Sequence, residues 1–201
     1  MPKVGMEPVR RAQLIDATCE SIFRYGLADT TISKISHLAG VSSGIIGHYF
    51  GGKDELVEAT MRKILIDLGD AISSRVNQAV TPRQKIWAII EGNFSHHQTS
   101  ARFVTSWLAF WSQAMHVPSL AKLQNINKRR LQSNLVFWYR RLLAPEEAKM
   151  AADGMAALID GLWLRGAFEQ QGFDSQKAKS IALDYLSRQL AWNLVLKLTP
   201  K

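Results

Sequence analysis

Apolar residues return every three or four positions along almost the whole chain, and no stretch alternates with the period of two that marks a half-buried strand. The pattern therefore predicts an all-α protein. The first amphipathic run opens near Pro8, carries Leu14, Ile15, Cys19, Ile22 and Phe23 on one side, and closes at Gly26, a residue suited to a left-handed cap. Two short segments follow. Thr31 is placed to cap a helix bearing Ile32, Ile35 and Ala39, which Gly40 ends after barely two turns. Ser42 is placed to cap the next, which bears Ile45, Ile46, Tyr49 and Phe50 before the Gly51-Gly52 break. A fourth run starts near Lys53 and carries Leu56, Ala59, Thr60, Ile64 and Leu68 towards Thr81-Pro82. Further helices are predicted over about 83–98, 102–115, 119–143, 146–171 and 175–196, punctuated by Pro118, Pro145 and Gly172. The change from short to long helices divides the chain into a small domain over 1–52 and a larger one over 53–201, the latter beginning with a linking helix.

Hydrophobic residues at 47% and charged residues at 21% describe a chain that folds around a core. No apolar run reaches the roughly 18 residues that span a bilayer, and Met1 to Pro8 lack the apolar centre of a secretory signal, so a cytoplasmic protein with no membrane partner is expected. The single cysteine, Cys19, excludes an internal disulfide or a thiolate metal cluster; it reads as a buried, inert thiol or as a redox switch. A net charge of +8 points to a polyanionic partner without locating it. Through Glu55, Lys3, Arg10, Arg11, Arg24, Lys34 and Lys53 are matched by Glu7, Asp16, Glu20, Asp29, Asp54 and Glu55, so the excess lies further along the chain. The run Lys122, Lys128, Arg129, Arg130, Arg140 and Arg141 reads as a solvated face or as a contact to an anionic ligand or membrane.

The chain holds no Gly-rich phosphate loop, no Gly-x-Ser-x-Gly elbow and no His-Glu-x-x-His helix, so no catalytic residue, cofactor or metal is assigned. His96 and His97 are adjacent, which makes two imidazoles diverge on a helix rather than share a metal.

Thr31 to Phe50 has the size and shape of a helix-turn-helix, with the tight turn at Gly40-Val41. In that arrangement the first short helix braces the second, and the outer face of the second enters the major groove, where each base pair shows a distinct donor and acceptor pattern. Ile45, Ile46 and Phe50 supply the packed side; Ser43, Gly44, Gly47 and His48 face outward, and the two glycines permit close approach to a duplex. His48 is suited to a guanine acceptor and Ser43 to a base or phosphate, while Thr31, Tyr49 and Lys53 are placed for phosphates; Ser42, at the turn, completes the DNA-binding set. The spacing by itself also fits an ordinary helical hairpin whose polar face meets water.

Residue detail favours the first reading. The stretch from Thr31 to Leu56, with a threonine before Ile-x-x-Ile, Ala39-Gly40-Val41-Ser42 at the turn and Tyr49-Phe50-x-x-Lys53-x-x-Leu56 beyond it, resembles the DNA-binding signature of the TetR family of transcriptional repressors. The resemblance implies a three-helix N-terminal reading head, a linking fourth helix and a C-terminal helical domain for ligand binding and homodimerisation. A homodimer would require an inverted-repeat operator, since two heads related by a two-fold axis read two half-sites. The last two long helices are expected to pair with their copies, with Met155, Leu158, Ile159, Leu162, Phe168, Ile181, Tyr185 and Leu186 offering apolar surface.

Aromatic residues concentrate in the second domain, where Phe103, Trp107, Phe110 and Trp111 lie on or beside one helix face. Such a stripe is core packing or a cage for a quaternary ammonium, which aromatic faces attract electrostatically. Trp107-Leu108-Ala109-Phe110-Trp111, Met115-His116, Arg129-Arg130-Leu131, Ser133-Asn134-Leu135 and Ala157 to Arg165 are similar to the choline-responsive repressors of glycine-betaine synthesis genes within that family, a likeness that weakens after about Gly172. It implies choline as inducer and a role in osmotic adaptation. The candidate ligand residues are Trp107, Phe110, Trp111 and Trp163, with Asp160 as the carboxylate and Asn93 as a further polar contact; Asp160 alternatively pairs with Arg165 or a partner subunit. A repressor of the same type that senses another small hydrophobic or cationic molecule is the alternative.

Overall fold

The described residues of the computed structural model, 6–198 with side chains described through 191, form nine helices and no strand. In chain order these are α1 (Met6–Tyr25), α2 (Ile32–Ala39), α3 (Gly44–Phe50), α4 (Lys53–Gln78), α5 (Pro82–Asn93), α6 (Ala101–Ala114), α7 (Pro118–Tyr139), α8 (Pro145–Ala167) and α9 (Ser175–Leu198). The all-helical expectation holds, and so do the stops at Gly26 and Gly40, both left-handed with φ of 75° and 63°. No helix among the described residues is long and apolar enough to cross a membrane.

Several expected boundaries move. α1 opens at Met6, so Pro8 sits inside its first turn, where a missing N–H costs no helical bond. α5 ends at Asn93 rather than near 98, because Phe94 leaves helical geometry while its N–H still reaches the Ile90 carbonyl at 3.1 Å. His96 and His97 consequently lie on an exposed turn, not on a helix. α7 and α8 also stop about four residues early, at Tyr139 and Ala167.

The chain packs as two units, each drawn from two stretches of the sequence. The first comprises Met1–Asp67 and Ser100–Gln124. Here α1 packs against α2, α3 and α6, which draws α6 into the same unit as the short helices. Leu14, Ala17, Ile35, Ile46 and Leu56 form the buried cluster that joins α1 to α4. On the opposite side of α1, Arg102 of α6 is hydrogen-bonded to Asp16 and lies 3.8 Å from Glu20. Cys19 is buried beside Arg102 and Ser106; burial pushes its thiol up, against the smaller opposing pull of Arg102. At neutral pH it is a protonated, inert thiol, and the redox-switch reading loses its basis. Phe23, expected on the same packed face, is exposed.

The second unit comprises Leu68–Thr99 and Asn125–Lys201, with α9 packed on α8 and α5. Ile86, Ile90, Phe94, Leu135, Met155 and Leu186 belong to its buried interior. Gly154 admits the Tyr185 ring against the α8 backbone: a Cβ there would sit 2.0 Å from the phenolic oxygen. Met155, Ile159 and Leu186, read from sequence as dimer surface, are instead taken up inside the chain, whereas Leu164, Phe168, Ile181 and Leu183 are exposed.

Candidate functional site

The seven residues of α3 are too few to hold a helix unaided, so its position depends on what it packs against. Ile46 is fully buried against the cluster of Leu14, Ile35 and Leu56, and Ile45, Tyr49 and Phe50 flank it half-buried. The preceding turn is fixed twice: the Thr31 hydroxyl oxygen accepts from the Lys34 N–H at 3.2 Å at the start of α2, and at its end the N–H of Val41 reaches the Ser36 carbonyl at 3.0 Å. The expected serine cap at Ser42 does not hold: the residue that precedes α3 is Ser43. Ser43 has right-handed helical geometry and makes no side-chain cap bond; the Ser36 hydroxyl donates to its Oγ at 3.2 Å, tying α2 to α3.

Arg11 was counted in the sequence only as a charge. Its guanidinium stands 4.2 Å over the Phe50 ring and donates to the Tyr49 backbone carbonyl, placing a positive group at the negative end of α3. The signal was present in the spacing, since Arg11 lies three residues before the fully buried Leu14 and so shares its face.

Of the eight residues expected to meet DNA, Thr31, Ser42, Ser43, Gly44, Gly47 and His48 are exposed, while Tyr49 and Lys53 are half-buried. A Cβ added at Gly44 or Gly47 would meet nothing within 4 Å, which leaves the outer face of α3 low and open. The His48 and Tyr49 rings meet edge to face with centroids 4.8 Å apart. The arrangement offers a shallow helical ridge with polar groups along it, braced from behind by α1 and α2.

The six expected ligand residues divide between the two units. In the first, Trp107 and Phe110 are buried and Trp111 half-buried, with ring centroids 5.6 Å apart for Trp107 and Phe110 and 6.2 Å for Trp107 and Trp111. The Trp111 indole N–H is buried without a protein hydrogen-bond partner. In the second, the Trp163 indole N–H donates to the Asn93 backbone carbonyl at 3.3 Å, and its ring lies 5.2 Å from that of Phe173, which lies 6.1 Å from Phe94. Asn93 thus acts through its backbone; its side-chain amide donates to the Ile89 carbonyl at 2.8 Å. Asp160 lies at the surface of α8, yet desolvation raises its carboxyl above the usual range against the attraction of Lys128, and the expected ion pair with Arg165 is not formed. Phe94 and Phe173 escaped the sequence reading: one falls at a helix end, and the other lies past Gly172, where the likeness fades.

Comparison with known proteins covers both parts of the chain. Residues 14–60 match the family described as bacterial regulatory proteins, tetR family, and residues 82–191 match that described as BetI-type transcriptional repressor, C-terminal. The chain is 56% identical over 192 residues, 95% of each protein, to the HTH-type transcriptional regulator BetI 1 of Chromohalobacter salexigens. It is 50% identical over 193 residues to the regulator BetI of Pseudomonas aeruginosa strain PAO1, covering 95% of this chain and 98% of that one. Among solved structures, a transcriptional regulator from Pseudomonas aeruginosa PAO1 superposes with a TM-score of 0.80 at 27% identity, over 92% of this chain and 91% of that one. A regulator from Saccharomonospora viridis, crystallised in complex with choline, has the same fold, with a TM-score of 0.78 at 18% identity over 90% and 96% of the two chains.

Proposed function

The chain belongs to the TetR family of DNA-binding transcriptional repressors, with a BetI-type C-terminal region, and from that premise we propose that it represses genes for converting choline to glycine betaine and is weakened on its operator by choline. The observation that carries this reading is the similarity at 50–56% identity, over about 95% of the chain, to regulators named BetI. Aromatic pairs suited to a quaternary ammonium support it, Trp163 with Phe173 in one unit and Trp107 with Trp111 in the other. So does the choline bound to the Saccharomonospora viridis protein of the same fold.

In this reading Ser43, Gly44, Gly47 and His48 contact base edges, while Ser42, Thr31, Tyr49 and Lys53 fix register on the sugar-phosphate backbone. Two copies pair through α8 and α9, whose groove of about 440 Å³ is lined by Leu158, Leu162, Phe173 and Ile181. The two-fold axis then sets an inverted-repeat target. Choline acts by favouring a conformation whose heads fit the two half-sites poorly, and DNA weakens choline by the same factor. A coupling of about 1–3 kcal/mol corresponds to roughly 5- to 150-fold, so induction is graded.

Titration calorimetry of the purified protein with choline, alongside tryptophan fluorescence, tests the effector. Saturable heat and quenching are expected. No heat and no quenching at millimolar choline would reject choline while leaving the repressor intact.

A further inference from the structure

The end of α5 and the segment between it and α6 bury four polar side chains, Asn93, Ser95, Gln98 and Thr99. Asn93 and Thr99 satisfy themselves locally, the latter donating its hydroxyl to the Ser95 carbonyl at 3.1 Å. Gln98 does not. It is fully buried, and neither its Oε1 nor its Nε2 has a hydrogen-bond partner in the protein. An amide held this way opposes folding, whereas methionine would fill similar space with no polar group to satisfy. The polarity of this side chain therefore needs a partner from outside the chain.

The contacts of its segment indicate what kind. The segment is pinned beside α8 by the bond from the Trp163 indole to the Asn93 carbonyl, and it is folded by the Thr99 N–H reaching the Ser95 carbonyl at 3.0 Å. Phe94, four residues before Gln98, continues the aromatic series through Phe173 to Trp163. Aromatic faces suit a trimethylammonium group, which has no N–H to donate. A primary amide supplies one acceptor and two donors, the set that a hydroxyl engages with both its hydrogen and its lone pairs.

We propose that Gln98 is a specificity residue of the effector site, reading the hydroxyl of a hydroxyalkyl quaternary ammonium whose cationic end rests on the Phe173 and Trp163 rings. The proposal rests on the reading of choline as effector. A site built to hydrogen-bond a hydroxyl rejects the analogue lacking it, because the amide is then left unpaired in the complex.

The test compares choline with ethyltrimethylammonium, its analogue without the hydroxyl, on the full-length protein and on Gln98→Met, by calorimetry and by melting temperature without ligand. The unaltered protein is expected to bind choline at least about tenfold more tightly than the analogue. Gln98→Met is expected to bring the two within about twofold by losing choline affinity alone, and to melt no lower than the unaltered protein. If the unaltered protein binds both equally, or if Gln98→Met keeps the tenfold preference, the proposal fails and choline remains the effector. A Gln98→Met protein that melts several degrees lower, or does not fold, shows the amide to be satisfied within the chain and overturns the proposal equally. Binding of neither cation by the unaltered protein removes the effector reading, and this inference with it.

Discussion

Gly47→Glu is expected to lower operator affinity at least about 100-fold while leaving the fold of the reading head intact. The position is exposed on α3, and a Cβ there meets nothing within 4 Å, so the new side chain projects from the ridge without disturbing the packed face. On DNA the same projection lifts the helix from the groove floor and brings a carboxylate towards a dense array of phosphates. Loss of several base contacts, each worth about 1–3 kcal/mol, accounts for a fall of that size. Gly47→Ala is the control. Alanine stabilises a helix interior by about 0.5–1 kcal/mol relative to glycine, so its melting temperature is expected to hold or rise. Fluorescence anisotropy on an inverted-repeat duplex selected from random DNA, with thermal melting of both variants, checks the pair. Near-normal binding by Gly47→Glu would mean that the outer face of α3 is not the reading surface.

Ile46→Ala is expected to abolish binding by the opposite route. Ile46 is fully buried beside Leu14, Ala17, Ile35 and Leu56, and truncating such a residue costs about 2–5 kcal/mol through lost burial and the cavity left behind. Because α3 spans only seven residues and has no side-chain cap, little else holds it in place. Urea unfolding followed by circular dichroism is expected to show the destabilisation, with operator binding lost alongside. A variant of unchanged stability would place Ile46 outside the support of the ridge. Adjacent residues on one short helix thus separate the two ways of losing function, one through the surface and one through the core.

Much of this was legible in the sequence because local chemistry and tertiary packing agree in the first fifty residues. Gly26 and Gly40 mark the left-handed stops, Thr31 caps α2, and the alternation of Ile46 with Gly47 separates the inner from the outer face of α3. Elsewhere several apolar positions fit more than one partner. Met155, Ile159 and Leu186 have the spacing of an interface stripe, yet they are buried within their own chain, because α9 folds back onto α8. Periodicity tells which residues are hidden, not whether a neighbouring helix or a second subunit hides them. The early end of α5 was missed for a related reason: Gly92, the glycine beside it, serves close packing on Ile72 rather than a left-handed cap, and the apolar pattern reaches Phe94 before the backbone turns. Arg11 and Gln98 are long polar side chains whose importance lies in what they meet across the fold. Spacing hinted at the first, and only the buried, unpaired amide exposes the second.

The most direct test places three duplexes of equal length and base composition before the protein at about 0.15 M salt: the inverted repeat, one half-site within scrambled sequence, and a full scramble. Anisotropy is expected to rank them in that order, with the palindrome favoured over the scramble by about a thousandfold or more. Added choline is expected to weaken the palindrome by roughly 5- to 150-fold. Equal affinity for the inverted repeat and the scrambled duplex would contradict paired, groove-inserted helices as the means by which this protein finds its target.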